Sequence, residues 1–508
     1  MRRVISRLYA ISENWSQWVS LGLIVLFAVV MGLEIWELSD PLFPDFADHA
    51  IWLDVAFRVY KGQIPHLDFT STIGPGIPLF LGFALKLLGP STKSIGIVTI
   101  SFFVGILCFY FLRTRKSKSL YLIIGLTCSA FIYLTNPILN YNEFGWFFLC
   151  LTIVESHLAR EESEHNMTLG GAFFGSLLFF MLTLKYIFFI YSVCLLLGLG
   201  ILCPPKRRWL IAVFLGFMTM FLITGILINF EFSKAFHDIS ISMHVRGDLV
   251  KKDFLSFKIH KRFFHKYIWG ILLFFVPAAW VNWQNNKIKF SWLVGLLPAI
   301  FVLQNAVILS GSNWPKPYAK VWLLFILFES LVTIKNIKPV KYFKYLYIFS
   351  IISFLTLGLQ GIVEHHILYS HKLFVLGNMT KKSRCTGAYI PYPCLIEDGL
   401  KGIDQVAGDR MGYKVFALSY SNPFNILHRT AGPLHDLSHW SFSDSFSLDE
   451  HPRPEVIFRD AEFVMEPKAY ASAFEEQSGE LMKKIFMPAV KNNYELVVST
   501  DYWNVWGK

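Results

Sequence analysis

The sequence predicts a mainly helical, polytopic membrane bundle carrying a small external α/β domain at its C-terminus, and three observations carry that prediction. Of 508 residues, 54% are hydrophobic, 17% aromatic and only 16% charged. The mean hydropathy of +0.46 implies more apolar surface than a soluble core hides. The apolar residues fall in separate runs, several near the roughly 20 residues that a helix needs to cross the hydrocarbon. Beyond position 363 the chain turns polar and proline-bearing, and that tail is long enough for a domain of its own. The formal net charge of +11 gathers in short clusters between apolar runs, where it orients helices in the bilayer. A nucleic-acid partner is therefore not expected.

Taken in order, Arg2, Arg3 and Arg7 precede a first run at 19–38 that lacks a small-residue cleavage pattern, so it is expected to stay as an anchor. Further runs lie at 73–89, 94–112, 119–135, 143–159, 168–203, 209–229, 267–283, 291–309, 318–335 and 345–363. The run at 168–203 is long enough for two antiparallel helices, with Lys185 and Tyr186 near the turn. The run at 73–89 decides the topology. If it crosses, the clusters Arg113 to Lys118, Lys206 to Arg208 and Lys335 to Lys344 fall outside; if it lies flat, all three fall inside with the N-terminal arginines, as the positive-inside tendency requires. Its shortness, its prolines and Lys86 also suit an interfacial helix. About eleven spans result, with a cytoplasmic N-terminus. Residues 1–363 then form the transmembrane module and 364–508 an extracytoplasmic domain, in a chain expected in a bacterial inner membrane.

Two external segments stand out. Residues 230–266 read as a loop that is strongly basic between Lys251 and Lys266, with interleaved aromatics, and such a stretch holds lipid phosphate or anionic headgroups. In the tail, Tyr413 to Ser419, Glu455 to Phe458 and Tyr494 to Ser499 read as short strands and 468–491 as a helix. Cys385 and Cys394 flank a proline-bearing loop, which a disulfide would close in an oxidising compartment; two free thiols are the alternative. Trp36, Trp209, Trp269 and Trp314, near span ends, read as interface anchors.

Under this topology the outer face gathers Asp45, Asp48, His49, Arg58, Lys61, His66 and Asp68 from the first loop. Asn140, Asn142 and Glu143 come from a second loop, Lys185 from the tight turn, and His237, Asp238, His244, Arg246 and Asp248 from the basic segment. A carboxylate there can deprotonate a hydroxyl or bind a divalent cation, while Lys or Arg neutralises a leaving phosphate. Asp48 is the leading candidate for catalytic base or metal ligand, with Mg or Mn as the cation. It would equally cap a helix beginning near His49, and Glu143 one beginning at Phe144. Asp68 and His66 stand before a proline-glycine segment and would equally shape that loop.

The segment Asp48-His-Ala-Ile-Trp-Leu-Asp-Val-Ala-Phe-Arg-Val-Tyr-Lys-Gly-Gln-Ile-Pro65 resembles the first external loop of GT-C superfamily glycosyltransferases, which include protein O-mannosyltransferases and lipid A aminoarabinose transferases. Gly74 to Gly89 resembles that family's proline-bearing surface helix, and Phe180 to Lys185 its Leu-Thr-Lys segment. Glu143 falls where the family often has a second acidic residue. The resemblance covers about the first 210 residues; it departs from the family at His49, where a second carboxylate would stand. It implies a GT-C-like fold and transfer of a sugar from a polyprenyl-phosphate donor to a glycan, lipid or protein acceptor. Asp48 and Glu143 would be catalytic, and His49, Arg58, Asp68, Lys185, His244 and Arg246 would bind substrate. A transporter or flippase of lipid-linked sugars is the reading from another class, and an O-antigen polymerase or ligase is the third.

Overall fold

The computed structural model describes residues 2–37, 47–114, 141–161, 164–202, 205–255 and 385–508 apart from 386–387, 409, 411 and 443–444, with a few positions within 123–130. The spans expected at 267–283, 291–309, 318–335 and 345–363, most of that at 119–135, the basic residues 256–266, Asp45, Asn140, Trp269 and Trp314 lie outside the described residues. Four helical stretches, Gln17–Trp36, Thr92–Thr114, Asn166–Leu184 and Arg207–Leu227, are long and apolar enough to cross a membrane. The chain is thus a helical membrane protein. It divides into two compact units, one of residues 1–37, 96–222 and 252–367, the other of 38–95, 223–251 and 368–508.

The first unit contains α1 (Arg2–Glu37), α4 (Thr92–Thr114), α5 (Tyr141–Glu161), α6 (Glu164–Leu184), α7 (Tyr186–Leu202) and α8 (Arg207–Leu227), with α4 entering it from Gly96 and α8 leaving after Leu222. Lys185 alone separates α6 from α7. The Ser192 hydroxyl reaches the Met181 sulfur at 3.6 Å, whereas eleven residues along one helix span roughly 16 Å. The chain therefore turns back at Lys185. Helices α6 and α8 approach through small residues. A Cβ on Gly175 would lie 1.9 Å from the Val213 carbonyl oxygen, and one on Gly216 1.9 Å from that of Ala172; such contacts hold membrane helices together where no hydrophobic drive separates protein from lipid.

At the C-terminal end of α4, the Arg113 guanidinium donates to both oxygens of buried Glu155 on α5, at 2.5 and 3.3 Å. The Trp209 indole donates to the same carboxylate at 2.8 Å. Trp209 is 2% exposed, so the expected interface anchor is instead a buried hydrogen-bond donor to a charge that needs several partners. Trp36, by contrast, is 82% exposed.

In the second unit, α2 (Ala47–Tyr60) packs on α3 (Gly76–Leu88). Gly82 permits the approach, since a Cβ there would sit 2.4 Å from a Val59 methyl. Ile77, Leu81, Ala84 and Leu85 of α3 are buried, while Phe83, Lys86, Leu87 and Leu88 are exposed. Thirteen residues span about 20 Å, short of the roughly 30 Å of bilayer hydrocarbon. Residues 232–255, expected as loop, form α9 (Phe232–Leu255).

The polar tail folds around one mixed sheet of β1 (Val415–Ala417), β2 (Phe463–Pro467), β3 (Glu495–Ser499) and β4 (Trp503–Gly507), in the order β1-β2-β4-β3. The β1/β2 pair is parallel and the others antiparallel. Side chains alternate across the sheet as the pleat requires. Phe416 and Val464 join Met482, Phe486 and Val490 of α13 (Ala473–Asn493) on one face. Val415, Ala417, Met465 and Val505 join Leu395 and Ile403 of α10 (Tyr392–Ala407) on the other. The Ser472 hydroxyl caps α13 by accepting from the Glu475 amide at 3.2 Å. Glu455 to Phe458 is not a strand. Pro454 opens a one-turn helix, α12 (Pro454–Ile457), after extended Arg453, because its fixed φ and missing N–H suit a first helical position. A second four-residue helix, α11 (Phe424–Leu427), precedes it. Cys385 and Cys394 are joined by a disulfide with Cα atoms 5.9 Å apart.

Candidate functional site

Within the second unit, α2 places Asp54 and Arg58 one turn apart on a buried face. The Arg58 Nε donates to Asp54 at 2.6 Å, one terminal nitrogen to Asp436 at 2.8 Å and the other to the Pro433 carbonyl at 2.9 Å. Trp440 donates to the second oxygen of Asp436 at 3.0 Å. Gly432 lets the guanidinium in, since a Cβ there would fall 2.0 Å from its nitrogen, and the Gln63 amide donates to the Gly432 carbonyl at 2.9 Å. Two carboxylates thus share one buried cation. Burial pushes Asp436 up to about 6 against the pull of Arg58, with Asp54 adding to the rise. Burial likewise raises Asp54 against the pull of Arg58. For Arg58 burial works against the charge, but Asp54 and Asp436 outweigh it, so it stays protonated.

The loop after α2 is stitched to the same part of the tail. Asp68 accepts the Ile64 amide at 2.7 Å, closing a turn. Its carbonyl accepts from the His435 amide at 2.6 Å, Thr70 donates to the Asp436 carbonyl at 3.0 Å, and Ser438 donates to that of Thr70 at 2.9 Å. At the centre of this turn His66 adopts φ +67°, a left-handed conformation that non-glycine residues rarely take outside turns and functional sites. The His66 side chain is fully buried; its Nδ1 lies 2.8 Å from an Asp238 oxygen on α9. Its Nε2 is buried and has no hydrogen-bond partner among the described residues.

The expected site residues fare differently. Asp48 and His49 occupy the first turn of α2, which begins at Ala47, and Glu143 the first turn of α5, which begins at Tyr141. Both helices thus start earlier than a capping role for Asp48 or Glu143 requires. Arg58, expected to bind substrate, is a guanidinium with no exposed surface that donates to two carboxylates and a carbonyl. Asp68 builds the turn. Lys185 is buried at the α6–α7 reversal, in the first unit with Glu143, whereas Asp48, Arg58, Asp68, His244 and Arg246 belong to the second. His244 is exposed on α9, and Arg246 lies half a turn beyond it. The pairing of His66 with Asp238 was not singled out, although both belong to the expected outer-face set; no local signal links positions 172 residues apart.

An imidazole whose Nδ1 faces a carboxylate and whose Nε2 is open can take a proton from a hydroxyl. Among the described residues, no group of three or more His, Cys, Asp or Glu is placed to hold a metal ion. Fold and site together define a helical membrane protein in which a short loop, one face of α9 and an α/β domain build a buried polar centre. Comparison with protein-family models, with curated proteins and with solved structures gives no match to this chain.

Proposed function

We propose that the protein is a membrane glycosyltransferase of GT-C type, moving a sugar from a polyprenyl-phosphate donor to an acceptor on the extracytoplasmic face. The observation that carries this reading is the second unit itself. It joins the α2–α3 segment, which lies in sequence between the spans of α1 and α4, to the start of α9 and the C-terminal domain. On this reading the segments packed in the second unit lie on one side of the membrane. Helix α3, too short to cross and apolar on its exposed face at Phe83, Leu87 and Leu88, has the character of an interfacial helix. The flat reading then keeps the basic clusters inside, gives about eleven spans and sets the N-terminus in the cytoplasm.

In this reading Asp48 activates the acceptor or holds a divalent cation, with Glu143 assisting. Mg is bound by one or two carboxylates together with substrate phosphate oxygens and water, so a single Asp48 fits such an ion; it would offset the charge on the leaving phosphate. Lys185, His244 and Arg246 are the proposed donor contacts. The buried charges seen in the first unit, Arg113 and Glu155, satisfy each other near helix ends, which favours an outer-face enzyme over a transport path lined at mid-membrane. Asp48→Asn is expected to abolish transfer while leaving membrane insertion intact. Normal activity in that variant removes Asp48 from the mechanism.

A further inference from the structure

We infer that His66, held by Asp238, is the group that accepts the proton of the incoming hydroxyl, an inference that rests on the glycosyl-transfer reading and leaves cation binding to Asp48. Three independent features converge on the ring. Its backbone is held at φ +67°, a strain that persists only where surrounding contacts enforce it. The fixing contacts are visible: the His66 amide donates to the Phe69 carbonyl at 2.8 Å, and Asp68 ties the turn to His435. Asp238 is the charged group within hydrogen-bond reach of the ring among the described residues, and its 2.8 Å contact at Nδ1 selects the tautomer that leaves the Nε2 lone pair open. That lone pair is buried without a partner. Buried acceptors are almost always satisfied, and the hydroxyl of an incoming acceptor would supply the donor that this one lacks.

The step balances without any further reagent. The acceptor hydroxyl gives its proton to Nε2 as its oxygen bonds to the anomeric carbon of the donor sugar. The bond from that carbon to the phosphate oxygen breaks, and its electron pair leaves with the polyprenyl phosphate. The imidazolium so formed faces Asp238, which stabilises it, and later returns its proton to water. The ring is buried in this structure, while the Asp238 side chain beside it is 11% exposed.

The test uses the full-length protein in liposomes and three variants. His66→Asn keeps a residue that tolerates left-handed backbone but deletes the imidazole. His66→Gly removes the strain as well, and Asp238→Asn keeps shape while removing the charge. His66→Asn and His66→Gly are expected to lose transfer by about a hundredfold or more, with melting temperatures at or above that of the parent. Asp238→Asn is expected to lower kcat with KM little changed, since the imidazolium formed in the step loses its counter-charge. Parent-like rates in His66→Asn overturn the inference while the glycosyltransferase reading stands. Absence of transfer by the parent from every polyprenyl-phosphate sugar overturns both. Loss of activity that simply tracks a lower melting temperature in both His66 variants assigns His66 to architecture and also overturns the inference.

Discussion

Removing the Arg58 guanidinium would leave Asp54 and Asp436 buried side by side with no cation between them. Arg58→Ala is expected to destabilise the second unit by about 3–5 kcal/mol, the usual penalty for orphaning a buried charge. Arg58→Lys should recover only part of that loss, since one ammonium cannot reach both carboxylates and the Pro433 carbonyl. Thermal unfolding in detergent, followed by tryptophan fluorescence, measures both; unchanged midpoints would remove the network from the stability of the fold. The same cluster gives a pH signature. Asp436 titrates near 6 when folded against 3.8 ordinarily, so the folded state holds that proton more tightly. Its contribution to stability is complete below about 3.8 and is lost as the pH rises through about 6. Asp436→Asn should flatten this part of the stability profile relative to the parent; identical slopes would contradict the assignment. Arg58 was legible as polar but not as a buried link to the C-terminal domain, because its partners there lie more than 370 positions away.

Elements were legible where length and periodicity act alone. The reversal at Lys185 follows from a run too long for one span and interrupted by a cation, and α3 from a run too short to cross. The sheet was only half visible. β1 and β3 show as short apolar runs, but β2 ends in Pro467 and β4 carries Asn504 and Gly507, residues of low strand propensity that pairing with neighbours overrides. Helix α10 was hidden by its glycines, Gly399 and Gly402, which are there for packing: a Cβ on Gly399 would meet the Phe424 ring at 2.5 Å. At this scale α3 makes the sharpest prediction. Leu87→Cys labelled with an environment-sensitive fluorophore should show an apolar, blue-shifted emission in liposomes. Lipid-borne quenchers at headgroup depth should quench it more than aqueous iodide; the reverse order would contradict an interfacial helix.

For the whole molecule, the class was set by composition alone, since no soluble core accommodates so apolar a chain. The centre built by residues 54–70, 238 and 433–440 was not, because it exists only after segments distant in sequence are packed together. What those segments have in common is that none belongs to a helix both long and apolar enough to cross a membrane. Under the glycosyltransferase proposal, that unit would meet lipid-linked substrate at the bilayer surface, with α3 lying along it. The most direct measurement is transfer of radiolabelled sugar from a panel of polyprenyl-phosphate donors to acceptors in membrane extract, using purified protein in liposomes beside the Asp48→Asn variant. The account predicts label in product from at least one donor with the parent protein and none with the variant. Movement of the lipid-linked sugar across the bilayer with no label transferred from any donor would contradict it.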